Sequence, residues 1–222
     1  MDTLFLHQKA WQQPAITSVN RLPMSSLPPS FSTAEDAMQW ARKGPQGWDL
    51  VASPYQVCLD GAWSFRYYSS PMQVEDVVIQ QGNDLSWEPI TVPGSWSVQG
   101  WDKPHYTNVI MPFENTPPVP PQENPTGVYL KHFSIDENWS NRRTILKVGS
   151  AESYLEVYLN GTFIGMSKDS RLPASFDLTP SLVHGKNTLV LVVVRYSDAS
   201  YVEDQDQWWF GGLHRSVYLI SE

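Results

Sequence analysis

The stretch YLEVYLNGTFIGMS, residues 154–167, decides the fold. Its first half alternates, with Leu155, Val157 and Leu159 on one side of an extended chain and Tyr154, Glu156 and Tyr158 on the other. At its middle stand Asn160 and Gly161, a pair that accepts the two successive positive φ angles of a type I′ turn. Alternation around such a pair predicts a β-hairpin; an amphipathic helix would space its apolar residues three and four apart.

Working outward, the same punctuation recurs. NTLVLVVVRYS (187–197) is a near-continuous apolar run of strand length, as a central strand covered on both faces requires. GVYLKHFSI (127–135), TILKVG (144–149) and RSVYLI (215–220) read as further strands. In VCLDGAWSFRYY (57–68), Trp63, Phe65 and Tyr67 share one face beyond Asp60–Gly61, and EPITVPGSW (88–96) is a short strand closed by Pro93–Gly94. Strands separated by turns roughly every ten to fifteen residues predict an all-β sandwich or jelly roll. The one helix signal is FSTAEDAMQWARKG (31–44): Ser32 or Thr33 caps, Glu35 and Asp36 occupy the first turn, Arg42 and Lys43 the last, and Gly44 ends it. Residues 1–54 therefore read as an extended N-terminal arm plus this short helix, and 55–222 as the sandwich. Trp11, Ile16 and Leu22 give the arm apolar anchors.

The 222 residues carry a net charge of −8 and no Lys/Arg run, which argues against nucleic acid or an anionic membrane as partner. Cys58 is the only cysteine, so no intrachain disulfide and no cysteine-paired zinc site is expected. No long apolar run predicts a membrane span or a secretory leader, so a soluble, cytoplasmic setting is the expectation. The connection from 94 to 127 has seven prolines together with Trp96, Trp101, Tyr106 and Phe113, a composition for an ordered platform.

The chemistry-bearing stretch is SYVEDQDQWWFGGLHR (200–215). Three readings compete for Glu203, Asp204 and Asp206. As a catalytic pair, Asp204 and Asp206 have suitable spacing, but glycosidic hydrolysis needs carboxyl groups that flank the bond from different sides, and neighbours on one strand do not. Asp206 with backbone carbonyls could seat an oxygen-preferring cation, although no calcium-loop spacing is present. In the third reading Glu203 or Asp204 pairs with Arg171, Arg195 or Arg215 to tie a loop down. Arg171 is expected to pair with Asp169 or Asp177. Trp208, Trp209 and Phe210 suit either sugar stacking or packing against a partner domain.

Five strings, in order, resemble one family: LDGAWSF (59–65), VPGSWSVQGWDKPHYTNVIMPF (92–113), PPVPPQENPTGVYLKHF (117–133), VYLNGTFIGMSKDSRLPASFDLT (157–179) and RYSDASYVEDQDQWWFGGLHRSVYL (195–219). Together they resemble the N-terminal sugar-binding domain of glycoside hydrolase family 2, most closely that of the large bacterial β-galactosidases of the lactose-operon and evolved kinds. The resemblance implies a galactose-binding-domain-like jelly roll at the head of a much longer chain that hydrolyses terminal β-D-galactosides with retention. The catalytic glutamates of that family stand on a later TIM barrel, so this chain holds no catalytic residue and is expected to be inactive alone.

By the same resemblance, Asn108 in HYTNV matches the asparagine that hydrogen-bonds substrate hydroxyls, Val109 lines the same rim, and Asp206 in EDQDQW matches the aspartate that ligates an active-site Na+ and contacts the galactosyl hydroxyls. The other sodium ligands belong to the barrel. Asp198 in YSDAS matches a position that helps hold a peripheral Mg2+ in some members, but Lys168 stands where its companion is a glutamine, and an ammonium cannot ligate a cation. Mg2+ is therefore not expected to be completed by this domain. The implied partners are a β-galactoside, the enzyme's own downstream domains and further copies in a homo-oligomer. The alternative is a stand-alone carbohydrate-binding or structural module of a β-glucuronidase- or β-mannosidase-type hydrolase.

Overall fold

Asn160 and Gly161 take φ angles of 52° and 81°, the two left-handed conformations the sequence demands of them. The computed structural model describes residues 5–24, 30–43, 53–80, 86–108, 110–135 and 137–222. In chain order its strands are β1 (Ser18–Val19), β2 (Gln56–Cys58), β3 (Gly61–Tyr68), β4 (Glu88–Val92), β5 (Gly94–Ser95), β6 (His105–Thr107), β7 (Thr126–Ser134) and β8 (Thr144–Val148). They continue with β9 (Tyr154–Leu159), β10 (Thr162–Lys168), β11 (Ala174–Asp177), β12 (Lys186–Val194), β13 (Gln207–Trp209), β14 (Gly212–Leu213) and β15 (Val217–Ser221).

A seven-stranded antiparallel sheet, ordered β1-β10-β9-β12-β7-β3-β4, faces a four-stranded one ordered β11-β8-β15-β2. This is the jelly-roll sandwich expected. Asp60–Gly61 turns out to be the corner at which the chain leaves the small sheet at β2 and enters the large one at β3. The core between the sheets takes Leu155, Val157 and Leu159 from β9, Leu189, Leu191 and Val193 from β12, and Trp63 and Phe65 from β3, against Leu146, Phe176 and Leu219. Period-2 alternation thus places one set of each strand's side chains inward.

The other set is buried as well. Tyr154, Tyr158, Val190, Val192 and Val194 form a second core with Leu6, Ala10 and Trp11 of the arm and Val74, Val78 and Ile79. The arm lies over the large sheet as two single-turn 3-10 helices (Phe5–Gln8 and Ala10–Gln12) and then joins its edge, Ser18 opposite Ser167 in β10. This third layer explains why β12 is apolar on both faces.

Among the described residues two α-helices are present where one is expected. α1 (Ala34–Lys43) follows the cap at Thr33, whose Oγ1 accepts from Asp36 N at 3.1 Å; Gly44 lies outside the described residues. α2 (Asp76–Gln80) is short, and its Val78 and Ile79 are buried against the large sheet, so tertiary packing rather than a periodic sequence signal forms it. Among the described residues, no helix is long and apolar enough to cross a membrane.

Candidate functional site

β6 and β13 pair with each other in an antiparallel ribbon separate from both sandwich sheets: Gln207 with Thr107, Trp208 with Tyr106, Trp209 with His105. Alternation gives the ribbon two unlike faces. Trp209 is 3% exposed, and its indole N–H donates to Thr107 Oγ1 at 2.9 Å. Tyr106 and Trp208 are 51% and 52% exposed, with ring centroids 5.6 Å apart. One further step of the register sets Asp206 across from Asn108, and both residues are exposed. The Tyr106 hydroxyl donates to Asp206 Oδ1 at 2.5 Å, a diagonal cross-strand contact that puts Asp206 on the Tyr106 and Trp208 face. That hydrogen bond, above all, raises the pKa of the Tyr106 hydroxyl. The two strand ends the sequence singles out therefore meet at one edge of one ribbon. Val109 lies outside the described residues.

The ribbon is fastened from below by Arg195, the residue that follows β12. It is 1% exposed and forms an ion pair with Asp102. It also donates to the Lys103 carbonyl at 3.1 Å and to the Trp209 carbonyl at 2.8 Å. Neither Arg195 in this role nor Tyr106 as a partner of Asp206 was expected from sequence. A signal existed for the first: an arginine ending a run of buried valines needs a buried partner, and Asp102 stands in the aromatic, proline-rich platform.

The acids beside Asp206 do not pair with arginine as expected. Glu203 accepts from Ser170 N at 3.1 Å and Ser170 Oγ at 2.5 Å, and burial raises its pKa against those bonds. Asp204 Oδ1 is buried without a hydrogen-bond partner. The arginines are committed elsewhere. Arg171 lies 3.1 Å from Glu152 instead of pairing with Asp169 or Asp177, because Glu152 is buried and draws both Arg171 and His214. Asp177 is paired with Arg143 at 2.8 Å, and Arg215 donates to the Arg171 carbonyl at 2.6 Å. Trp208 is half open to solvent while Trp209 is buried, so the aromatic string divides into an exposed ring and a buried one.

A cleft of about 500 Å³ between the arm, Pro117–Pro118 and residues 198–203 contains neither Asn108 nor Asp206. One wall carries Lys168, whose Nζ lies 2.6 Å from Asp198 Oδ1 and donates to the Gln13 carbonyl at 2.9 Å. Burial lowers the pKa of this lysine, and Asp198 opposes the shift. A divalent ion does not fit here, because an ammonium already sits against the carboxylate it would need.

The family model for the sugar-binding domain of glycosyl hydrolases family 2 matches residues 57–222. The chain belongs to that family. This family 2 domain is 43% identical over 175 residues to a beta-galactosidase of Psychromonas ingrahamii, covering 78% of the chain and 17% of the relative. It is 39% identical over 219 residues to a beta-galactosidase of Vibrio vulnificus, covering 98% of the chain and 20% of the relative. The family 2 domain thus spans about a fifth of the length of these curated relatives. Among solved structures it is similar to Bacteroides uniformis beta-glucuronidase 2, with TM-score 0.57 and 22% identity over 75% of this chain and 18% of that one. Bifidobacterium dentium beta-glucuronidase gives TM-score 0.56 and 22% identity, over 80% and 31% of the two chains. At that identity the likeness establishes the sandwich alone.

Proposed function

We propose that this domain serves a retaining β-galactosidase, hydrolysing terminal β-D-galactosides in the full-length protein, by presenting Asn108 and Asp206 to the substrate. The observation that carries the reading is the register of the β6–β13 ribbon, which brings these two residues to one exposed edge although they are far apart in sequence. The names of the relatives support the galactoside as substrate class. Asn108 supplies a carboxamide that both donates to and accepts from sugar hydroxyls, and Asp206 accepts from them.

Asp206 also fits a share in a sodium site. Tyr106 engages one of its oxygens, so the carboxylate has a second to offer, and its single charge matches a monovalent ion. When bound, sodium would be held in part by Asp206 and would supply a positive charge for polar substrate groups. Among the described residues no three His, Cys, Asp or Glu side chains are gathered at one point; in this reading, as the family resemblance implies, the remaining ligands of the cation come from the barrel. The catalytic carboxyl pair lies outside this chain, and the domain by itself turns over nothing.

The test is galactoside hydrolysis by the full-length protein across a sodium series. Asp206→Ala should raise the sodium needed for half-maximal rate and the KM for galactoside, each roughly tenfold or more, as loss of a charge-assisted contact does. Asn108→Ala should raise KM with little change in the sodium requirement. Wild-type sodium dependence in Asp206→Ala would defeat the assignment.

A further inference from the structure

We propose that Arg195 is the positioning residue of this half-site: it holds both strands of the β6–β13 ribbon at once and so sets where Asn108 and Asp206 stand. The inference rests on the reading of those two residues given above.

The ribbon needs such a fastening. Its ladder is three residues long on each side and shares no strand with either sandwich sheet. A free two-stranded ribbon of that length is marginal in water. Among its attachments are the buried Trp209 ring beneath it and the guanidinium of Arg195. That guanidinium reaches both rails. Nη1 bonds Asp102 and the Lys103 carbonyl, at the entrance to β6, while Nη2 bonds the Trp209 carbonyl at the end of β13. The anchor on the other side is rigid, since Arg195 directly continues β12, the central strand of the large sheet, and its own N–H donates to the Pro125 carbonyl at 2.9 Å. The neighbouring Tyr196 ring packs on Trp209 at 6.1 Å, and Asn124 bonds the Tyr196 backbone at both N–H and carbonyl.

Only arginine serves in this place. Its planar fork presents donors in fixed directions to three acceptors, whereas a lysine ammonium is a point charge on a flexible stem and cannot bridge the two rails with the same geometry. The lever arm is short: from Trp209 to Asp206 is three residues, and from Lys103 to Asn108 is five, so a small tilt at the base moves the working edge.

The experiment uses the full-length protein and compares Arg195→Lys, Asp102→Asn, Asp206→Ala and the double variant Arg195→Lys/Asp206→Ala, each assayed for galactoside hydrolysis over a sodium series. Arg195→Lys and Asp102→Asn should each raise KM and the sodium requirement roughly tenfold, in the range lost when a supporting contact behind a ligand is removed. Turnover at saturating sugar and sodium should stay within about threefold of wild type, since the chemistry lies elsewhere. In the Asp206→Ala background, Arg195→Lys should add less than about twofold to the sodium requirement, because that effect runs through the carboxylate already removed, while the part of the KM rise carried by Asn108 persists. A full tenfold effect on the sodium requirement in both backgrounds, or none in either, overturns the proposal. If Asp206→Ala alone changes neither KM nor sodium dependence, the half-site reading itself fails and this inference falls with it. Should Arg195→Lys fail to fold, Asp102→Asn, which keeps a hydrogen-bonding group opposite the guanidinium, decides the matter through the same pair of backgrounds.

Discussion

At the scale of single residues, Glu156 shows how far burial departs from what a strand pattern implies. In the alternation of β9 it falls on the side opposite the leucines, where a half-buried sheet would face water. It is instead fully buried in the second core, with the hydroxyls of Tyr154 and Tyr158 donating to its two oxygens. Burial raises its pKa from an ordinary 4.5 to about 7, against those two hydroxyls and the Leu6 backbone N–H. The folded chain thus keeps a proton that the unfolded chain releases at lower pH. The stability this contributes is fully present below the unfolded value of 4.5 and is lost as pH rises through about 7. The shift corresponds to about 3 kcal/mol. Urea unfolding of the chain at pH 5 and at pH 8 should show a stability drop of that order, and Glu156→Gln should flatten it. Equal slopes in the two proteins would mean that another group titrates.

At the scale of elements, the double glycine after the ribbon is a packing device. A Cβ on Gly211 would lie 2.0 Å from Trp96 Cζ2, and Gly212 takes φ 132° directly against the Gly94 carbonyl. Trp96 is fully enclosed and Trp96 N donates to the Gly211 carbonyl at 3.1 Å, so neither side yields. Gly211→Ala should cost about 3 kcal/mol of unfolding free energy through overpacking, read as a lowered urea midpoint. An unchanged midpoint would show that the turn relaxes. The elements that sequence reveals and those it hides divide along the same physical line. The β9–β10 hairpin and β12 carry their cause locally, in Asn160–Gly161 and in an unbroken apolar run, and both form where expected. β6, β13 and α2 do not. The ribbon strands are three residues long, set in proline-rich and acidic surroundings, and are bonded by Arg195, which reaches them from another part of the chain. Asn108 and Asp206 were singled out by the family resemblance, while the ribbon on which they meet was not foreseen, because no local pattern encodes the pairing of two three-residue strands about a hundred positions apart.

At the scale of the whole molecule, the sandwich is three layers deep, and the outermost is the arm, held at one end by a buried ion pair. Lys168 ends β10, and its ammonium joins Asp198 of the next layer to the Gln13 carbonyl of the arm, while Lys168 N donates to the Thr17 carbonyl. Arg21 adds a bond to Ser167 Oγ at 3.0 Å. The lysine thus supplies, from within the chain, the positive charge that a bound cation would otherwise bring to Asp198. Removing only one partner leaves a buried charge uncompensated, a loss of about 3–5 kcal/mol, whereas replacing both by apolar groups of similar size is often close to neutral. Lys168→Met should therefore lower the melting temperature of the chain and speed proteolysis between residues 12 and 22, and Lys168→Met/Asp198→Leu should recover most of the melting temperature. In the wild-type chain neither EDTA nor added magnesium should shift the transition, since the ammonium already balances the carboxylate. A melting temperature that falls on chelation would show that a metal ion, and not Lys168, fastens the arm to the sheet.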